Sequence, residues 1–243
     1  MNEASQSAAG GDRFPRTSIT LVESLRSDDD DVRNRGWETL AQVYWRPIYK
    51  YVRLKWNRDA EAAEDLTQSF LANVFEKGAL EKFDPEKARF RTFVRTLLDR
   101  FLANEWKAEH REKRGGGAIH FDFDTAETEM RGISSDEIPA DELLRREWVR
   151  GVMSLAVGRL ETELKKEGRE SHLELFRAYD IEQSARSYRE MGETLGIPVT
   201  TVTNQLSFAR RKFRTTVLEC LRELTASEDE YREEVRSLLG VEP

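Results

Sequence analysis

Three histidines, a single cysteine and two dense groups of arginines carry whatever chemistry this chain can do. His120 stands in the run HFDFD with Asp122 and Asp124, and that run is the candidate metal ligand set. Its spacing argues against the role. His110 and His172 stand at no ligand-like interval from it, and the run lies in an acid-rich spacer. No Gly-Lys-Ser/Thr phosphate cradle occurs, and the RGGG at 114–117 reads as a helix stop. No catalytic role, metal or cofactor is therefore expected. The arginines point instead to the chemistry of phosphates and base edges.

That chemistry is clearest in SYREMGETLGIPVTTVTNQLSFARRKFRTTV, which has the layout of a helix-turn-helix. A first short helix is expected from Tyr188 to Leu195, with small Gly192 where two helices approach and Gly196 supplying the left-handed turn residue. Thr200 or Thr201 starts the second helix, whose Val202, Leu206, Ala209 and Phe213 face inward. Its other side offers Thr203, Asn204, Ser207, Arg210 and Arg211, a mixture suited to bases and phosphates in a major groove.

The formal net charge of −7 argues against a protein that merely coats nucleic acid, but the distribution is uneven. Residues 86–114 hold nine basic against five acidic residues, and residues 186–214 hold six against two. Between them, FDFDTAETEMRGISSDEIPADE holds eight acids and one arginine. Two basic patches thus flank an acidic spacer.

The elements that must position these residues are helical. From Ser18 onward the apolar spacing follows three- and four-residue intervals, with no alternating run to make a strand. WETLAQVYWRPIYKYVRLKW reads as helix with Pro47 as a kink or restart. In AAEDLTQSFLANVF, Ala63, Leu66, Phe70 and Val74 form a buried stripe behind a cap at Asn57 or Asp59. FDP at 83–85 is a turn, followed by a helix with a core stripe from Phe90 to Leu102.

The expected organisation is all-α, with a disordered N-terminus over 1–13 and a first small domain over 14–114. A flexible acidic linker over 115–140, a second domain over 141–216 and an amphipathic tail over 217–243 follow. That tail either packs on the second domain or binds a regulator. A lone cysteine fits a reducing compartment, and neither a membrane-length apolar run nor a signal-peptide core is visible, so a soluble cytoplasmic protein is expected.

VYWRPIYKYV, AEDLTQSFLANVF, KFDPEKARFRTFVRTLLDRFLANEW and YREMGETLGIPVTTVTNQLSFARRKFR, in this order and spacing, resemble the extracytoplasmic-function group of bacterial RNA polymerase sigma factors. The resemblance runs from about Phe14 to Phe213. It implies a subunit that binds core RNA polymerase, recognises the −10 and −35 elements of promoter DNA and helps melt it. Glu64, Asp65, Gln68, Ser69 and Asn73 would meet the clamp helices of the polymerase's largest subunit.

Phe93 and the loop from Lys77 to Arg89, including Lys82 and Lys87, would engage the melted −10 strand, where an aromatic stacks a base and cations hold its backbone. Phe93 also fits the core stripe. Arg91, Arg95, Asn104, Lys107 and Arg111 would line the duplex side. Thr200, Thr201, Thr203, Asn204, Ser207, Arg210 and Arg211 would face the −35 element.

Two positions depart from the family pattern on the polymerase helix: Ala62 and Ser69 stand where acids are usual. Phosphorylation of Ser69, or less readily Thr67, would restore charge on the Asp65 stripe and switch polymerase binding on. The regulator would then be a Ser/Thr kinase in place of, or beside, an anti-sigma factor. The alternative is a helix-turn-helix regulator acting without polymerase, which leaves the landmarks of the first half unexplained.

Overall fold

A computed structural model describes residues 20–109, 122–130 and 138–240. Every regular element among them is helical: α1 (Leu21–Leu25), α2 (Asp30–Lys55), α3 (Ala60–Glu76), α4 (Phe90–Glu109), α5 (Phe123–Met130), α6 (Ala140–Lys166), α7 (Glu170–Phe176), α8 (Tyr188–Leu195), α9 (Val199–Leu224) and α10 (Glu228–Leu239). A short 3-10 turn covers Ala79–Lys82, and a π turn covers Arg177–Ile181.

Side-chain caps set the helix starts. Thr20 and Glu23 form a reciprocal capping box at α1, and Asp29 accepts from the backbone N–H groups of Asp31 and Val32 at α2. Asp59, one of the two expected caps, accepts from Ala62 N at 2.8 Å and starts α3. Pro47 does not end α2, because the helix is held on its buried side by Val43, Tyr44, Ile48 and Val52.

The largest core joins the two halves of the chain. Leu40, Val43, Tyr44 and Ile48 of α2 pack in it with Trp148, Val152 and Leu155 of α6, and with Val217, Leu221 and Leu224 of α9. The α2–α6 seam reaches backbone contact: a Cβ added at Gly151 would lie 2.6 Å from the carbonyl oxygen of Val43. Further along, Leu160 and Leu164 of α6 meet Leu173 and Phe176 of α7 and Ala209 of α9 in a second cluster. A third, around Met191, Val202 and Leu206, holds α8 on α9. α6 and α9 are therefore spines that run from one core to the next.

Two expectations need revision. Residues 123–130, expected as part of a flexible acidic linker, form α5, which buries Phe123, Ala126 and Met130. Three apolar residues at helical spacing suffice, because Trp45 and Tyr49 offer ring faces to Phe123 at 5.4 and 4.9 Å. Likewise, the helix that contains residue 216 runs on unbroken to Leu224, and α10 folds back on the core through Tyr231 and Val235. The tail packs, and it reaches α4 as well as α9.

Candidate nucleic-acid interface

Three surfaces contain the predicted site residues. The first is the α8–turn–α9 unit. Ser187 caps α8 in a reciprocal box with Glu190, and Gly196 ends it at φ +67°. Gly192 allows the closest approach, since a Cβ there would meet the carbonyl oxygen of Ile197 at 2.7 Å. Val202, Leu206 and Ala209 are buried, with Phe213 half-buried, as the spacing predicted. Helix α9 begins at Val199, one or two residues before the expected start at Thr200 or Thr201.

Opposite that buried face, Thr200, Thr203, Asn204, Arg210 and Arg211 are exposed, while Thr201 and Ser207 are half-buried. One helix thus presents short polar groups at its N-terminal end and guanidinium groups a turn or two later. Arg210 holds both carboxylate oxygens of Asp180 at 3.0 Å, which steadies its position and holds its guanidinium all the more firmly charged. Gln205 is half-buried, so it turns sideways off the exposed stripe.

The second surface is α4 and the loop before it. Lys82, Lys87, Asn104 and Lys107 are exposed, and Lys87 pairs with Asp84 at 2.7 Å. Phe93 is half-buried, with its ring 5.2 Å from that of Phe83 at the edge of the core. Arg111 lies outside the described residues. The three remaining arginines all meet acids from the second half of the chain. Arg89 pairs with Glu233, Arg91 with Glu234 at 3.0 Å, and Arg95 with Asp141 at the start of α6. Arg91 also lies over the Trp148 ring at 4.8 Å. Arg89 holds the Glu233 carboxyl below the usual range, whereas burial pushes that of Glu230 up. Sequence reasoning missed these partners because they lie 46 to 144 residues away.

The third surface is α3 with the start of α2. Asp65 and Ser69 are exposed one turn apart, while Glu64, Gln68 and Asn73 are half-buried. Burial, and then the acids Asp124, Asp65, Glu127 and Glu61, push the Glu64 carboxyl up. Thr67 is 0 % exposed, and its hydroxyl donates to the Ala63 carbonyl at 2.7 Å. Thr67 is therefore corrected: it satisfies the α3 backbone from inside the core and presents nothing to a kinase.

Beside this stripe runs a groove of about 800 Å³ lined by Trp37, Ala41 and Trp45 from α2 and by Leu71, Ala72 and Phe75 from α3. Phe75 is 49 % exposed, with its ring edge-on to Trp37 at 4.9 Å. In the sequence the one visible signal of this groove is Phe75, an aromatic outside the buried stripe of α3.

Of the metal candidates, His120 lies outside the described residues, and Asp122 serves as a cap, accepting from Thr125 N at 3.1 Å and Thr125 Oγ1 at 2.7 Å. Among the described residues no cluster of His, Cys, Asp or Glu is placed to hold a metal ion. No helix among them is long and apolar enough to cross a membrane. The family model described as ECF sigma factor matches residues 17–219 of the chain. No curated protein matches it.

Proposed function

The chain belongs to the ECF sigma factor family, a group that acts in transcription initiation with RNA polymerase and promoter DNA, and from that premise we propose where each partner binds. Core polymerase docks on the α2–α3 groove and on the α3 stripe of Glu64, Asp65, Gln68, Ser69 and Asn73. Residues 14–114 act on the −10 element, through Phe93 and the cations of α4 and its preceding loop. Residues 141–216 act on the −35 element through the exposed side of α9, and 115–140 connect the two. The protein works in the cytoplasm, where polymerase and DNA are, and needs no catalytic residue.

One observation carries the polymerase assignment: α3 exposes Phe75 at the groove and, nearer its start, Asp65 and Ser69. An apolar anchor with a polar rim suits a protein partner better than a phosphate backbone. Phe75→Ala should weaken binding to core polymerase at least about tenfold while leaving duplex binding by α9 unchanged. Equal binding by both proteins would remove the groove from the interface.

Ser69 is the regulatory position in this reading. It is exposed one turn from Asp65, in a region already rich in acids, so a phosphate there would be directed to cations of the partner and not to neighbours in this chain. A Ser/Thr kinase would supply it; an anti-sigma factor would act by covering the same groove. Ser69→Asp should bind polymerase more tightly than Ser69→Ala, and indistinguishable affinities would end the switch hypothesis.

A further inference from the structure

We propose that α10 and the first turn of α6 act as a built-in pseudo-ligand for α4, occupying Arg89, Arg91 and Arg95 so that the closed chain cannot present them to DNA. The inference rests on the reading of those arginines as promoter contacts.

The pattern of α10 carries it first. A helix that only packed would place apolar residues on its inner face. Here Glu230 and Glu234 are buried there, one turn apart and interleaved with Tyr231 and Val235. A buried carboxylate is costly to desolvate unless a cation answers it. Arg91 answers Glu234, and Arg89 lies within 4.0 Å of it while holding Glu233. Two adjacent acids of α10, Glu233 and Glu234, thus stand against Arg89 just before α4 and Arg91 within it, and Asp141 of α6 takes Arg95. Carboxylates spaced along a helix offer α4 what a row of phosphates would.

The α2–α6 seam behind these contacts carries a buried charge cluster beside its apolar core. Lys50 of α2 is 0 % exposed, yet it contacts Glu147 of α6 at 2.9 Å and Glu129 of α5 at 2.6 Å. Arg46 and Arg150 complete the cluster on Glu129, at 3.1 and 3.4 Å. When α6 leaves α2 these charges regain water, so the pairs add little net stability to the closed form. Release of α6 carries away Asp141, and α10 follows through the Arg145–Ser237 contact and the shared α9 core.

The test uses the full chain and a mixed-sequence single-stranded DNA at low salt. Glu233→Gln/Glu234→Gln removes the acids and keeps the shape. Glu61→Gln/Glu76→Gln, at exposed positions far along the chain, removes the same charge as a control. Gly151→Leu separates α6 from α2 with no change in charge. Hydrogen exchange on α10 reports opening. The expectation is faster α10 exchange and about tenfold tighter DNA binding for both opening variants, with no comparable gain in the control. Adding Arg91→Ala should abolish that gain. If wild type already binds as tightly as the opened variants and Arg91→Ala weakens all of them alike, the pseudo-ligand is overturned while α4 remains the DNA face. If α10 opens, DNA binding does not rise above the control and Arg91→Ala changes nothing, the assignment of α4 itself fails.

Discussion

Arg91 of α4 donates to Glu234 of α10 across 3.0 Å, with side chains only 11 % and 3 % exposed. The same guanidinium lies over the Trp148 ring of α6. One arginine therefore ties together three helices that are far apart in the chain. Removing one member of such a pair strands the other charge in the interior. Glu234→Ala should destabilise the fold by about 3–5 kcal/mol, and adding Arg91→Met should recover part of that loss. Denaturant unfolding of the two single variants and the double variant checks it, and strictly additive losses would contradict the coupling.

Cys220 is fully buried on α9, and burial pushes its thiol up to about 11. Only about one molecule in a thousand would carry the reactive thiolate at pH 8. Alkylation by iodoacetamide should then be at least about a hundredfold slower in the native chain than in the unfolded one. Variants that part α6 from α2 should raise that rate, since Val217, Cys220 and Leu221 share the α6 core. Native alkylation at the unfolded rate would show that the α9 end of this core is open.

Gly192→Val should damage the α8–α9 unit and little else. The new Cβ would meet the Ile197 carbonyl oxygen at 2.7 Å, in a turn whose backbone cannot withdraw because Ile197 N donates to Gly192 O at 2.9 Å. Duplex binding should fall at least about tenfold, while polymerase binding through α3 stays at the wild-type level. Joint loss of both would place the two functions on one surface.

His172 gives the second half a pH dependence. Burial, and then the neighbouring Arg169 cation, lower its pKa, and its ring lies edge-on to Phe208 at 5.4 Å. A histidine whose folded pKa is depressed favours the fold in its neutral form. Its contribution is complete above the unfolded value of about 6.5 and falls as pH drops through it toward the folded value, where the fold at last accepts the proton. Thermal unfolding should therefore lose midpoint between pH 7 and about pH 5.5, and His172→Gln should flatten that slope. An unchanged slope in the variant would assign the effect to other groups.

Much of the fold was legible because its signals are local. The stripes of α3 and α4, the Asp59 cap and the Gly192–Gly196 turn depend on residues within a few positions of one another. What stayed hidden depends on distant partners. Helix α5 looked too polar to pack until Trp45 and Tyr49 supplied a surface for Phe123. The buried acids of α10 looked like solvated charge, because their cations lie on α4, more than 140 residues earlier. Thr67 stood as a second, less favoured hydroxyl after Ser69, and only packing put it inside and Ser69 outside.

The most direct measurement is binding to core RNA polymerase from the protein's own source, with the unmodified chain, Ser69→Asp and protein recovered from its native cell compared at moderate salt. At least one of the three should form a stable complex that starts transcription at defined positions, with Ser69→Asp and the native form binding more tightly than the unmodified chain. Failure of all three to bind polymerase, with duplex binding by α9 intact, would contradict the account and leave a DNA-binding regulator that acts without polymerase.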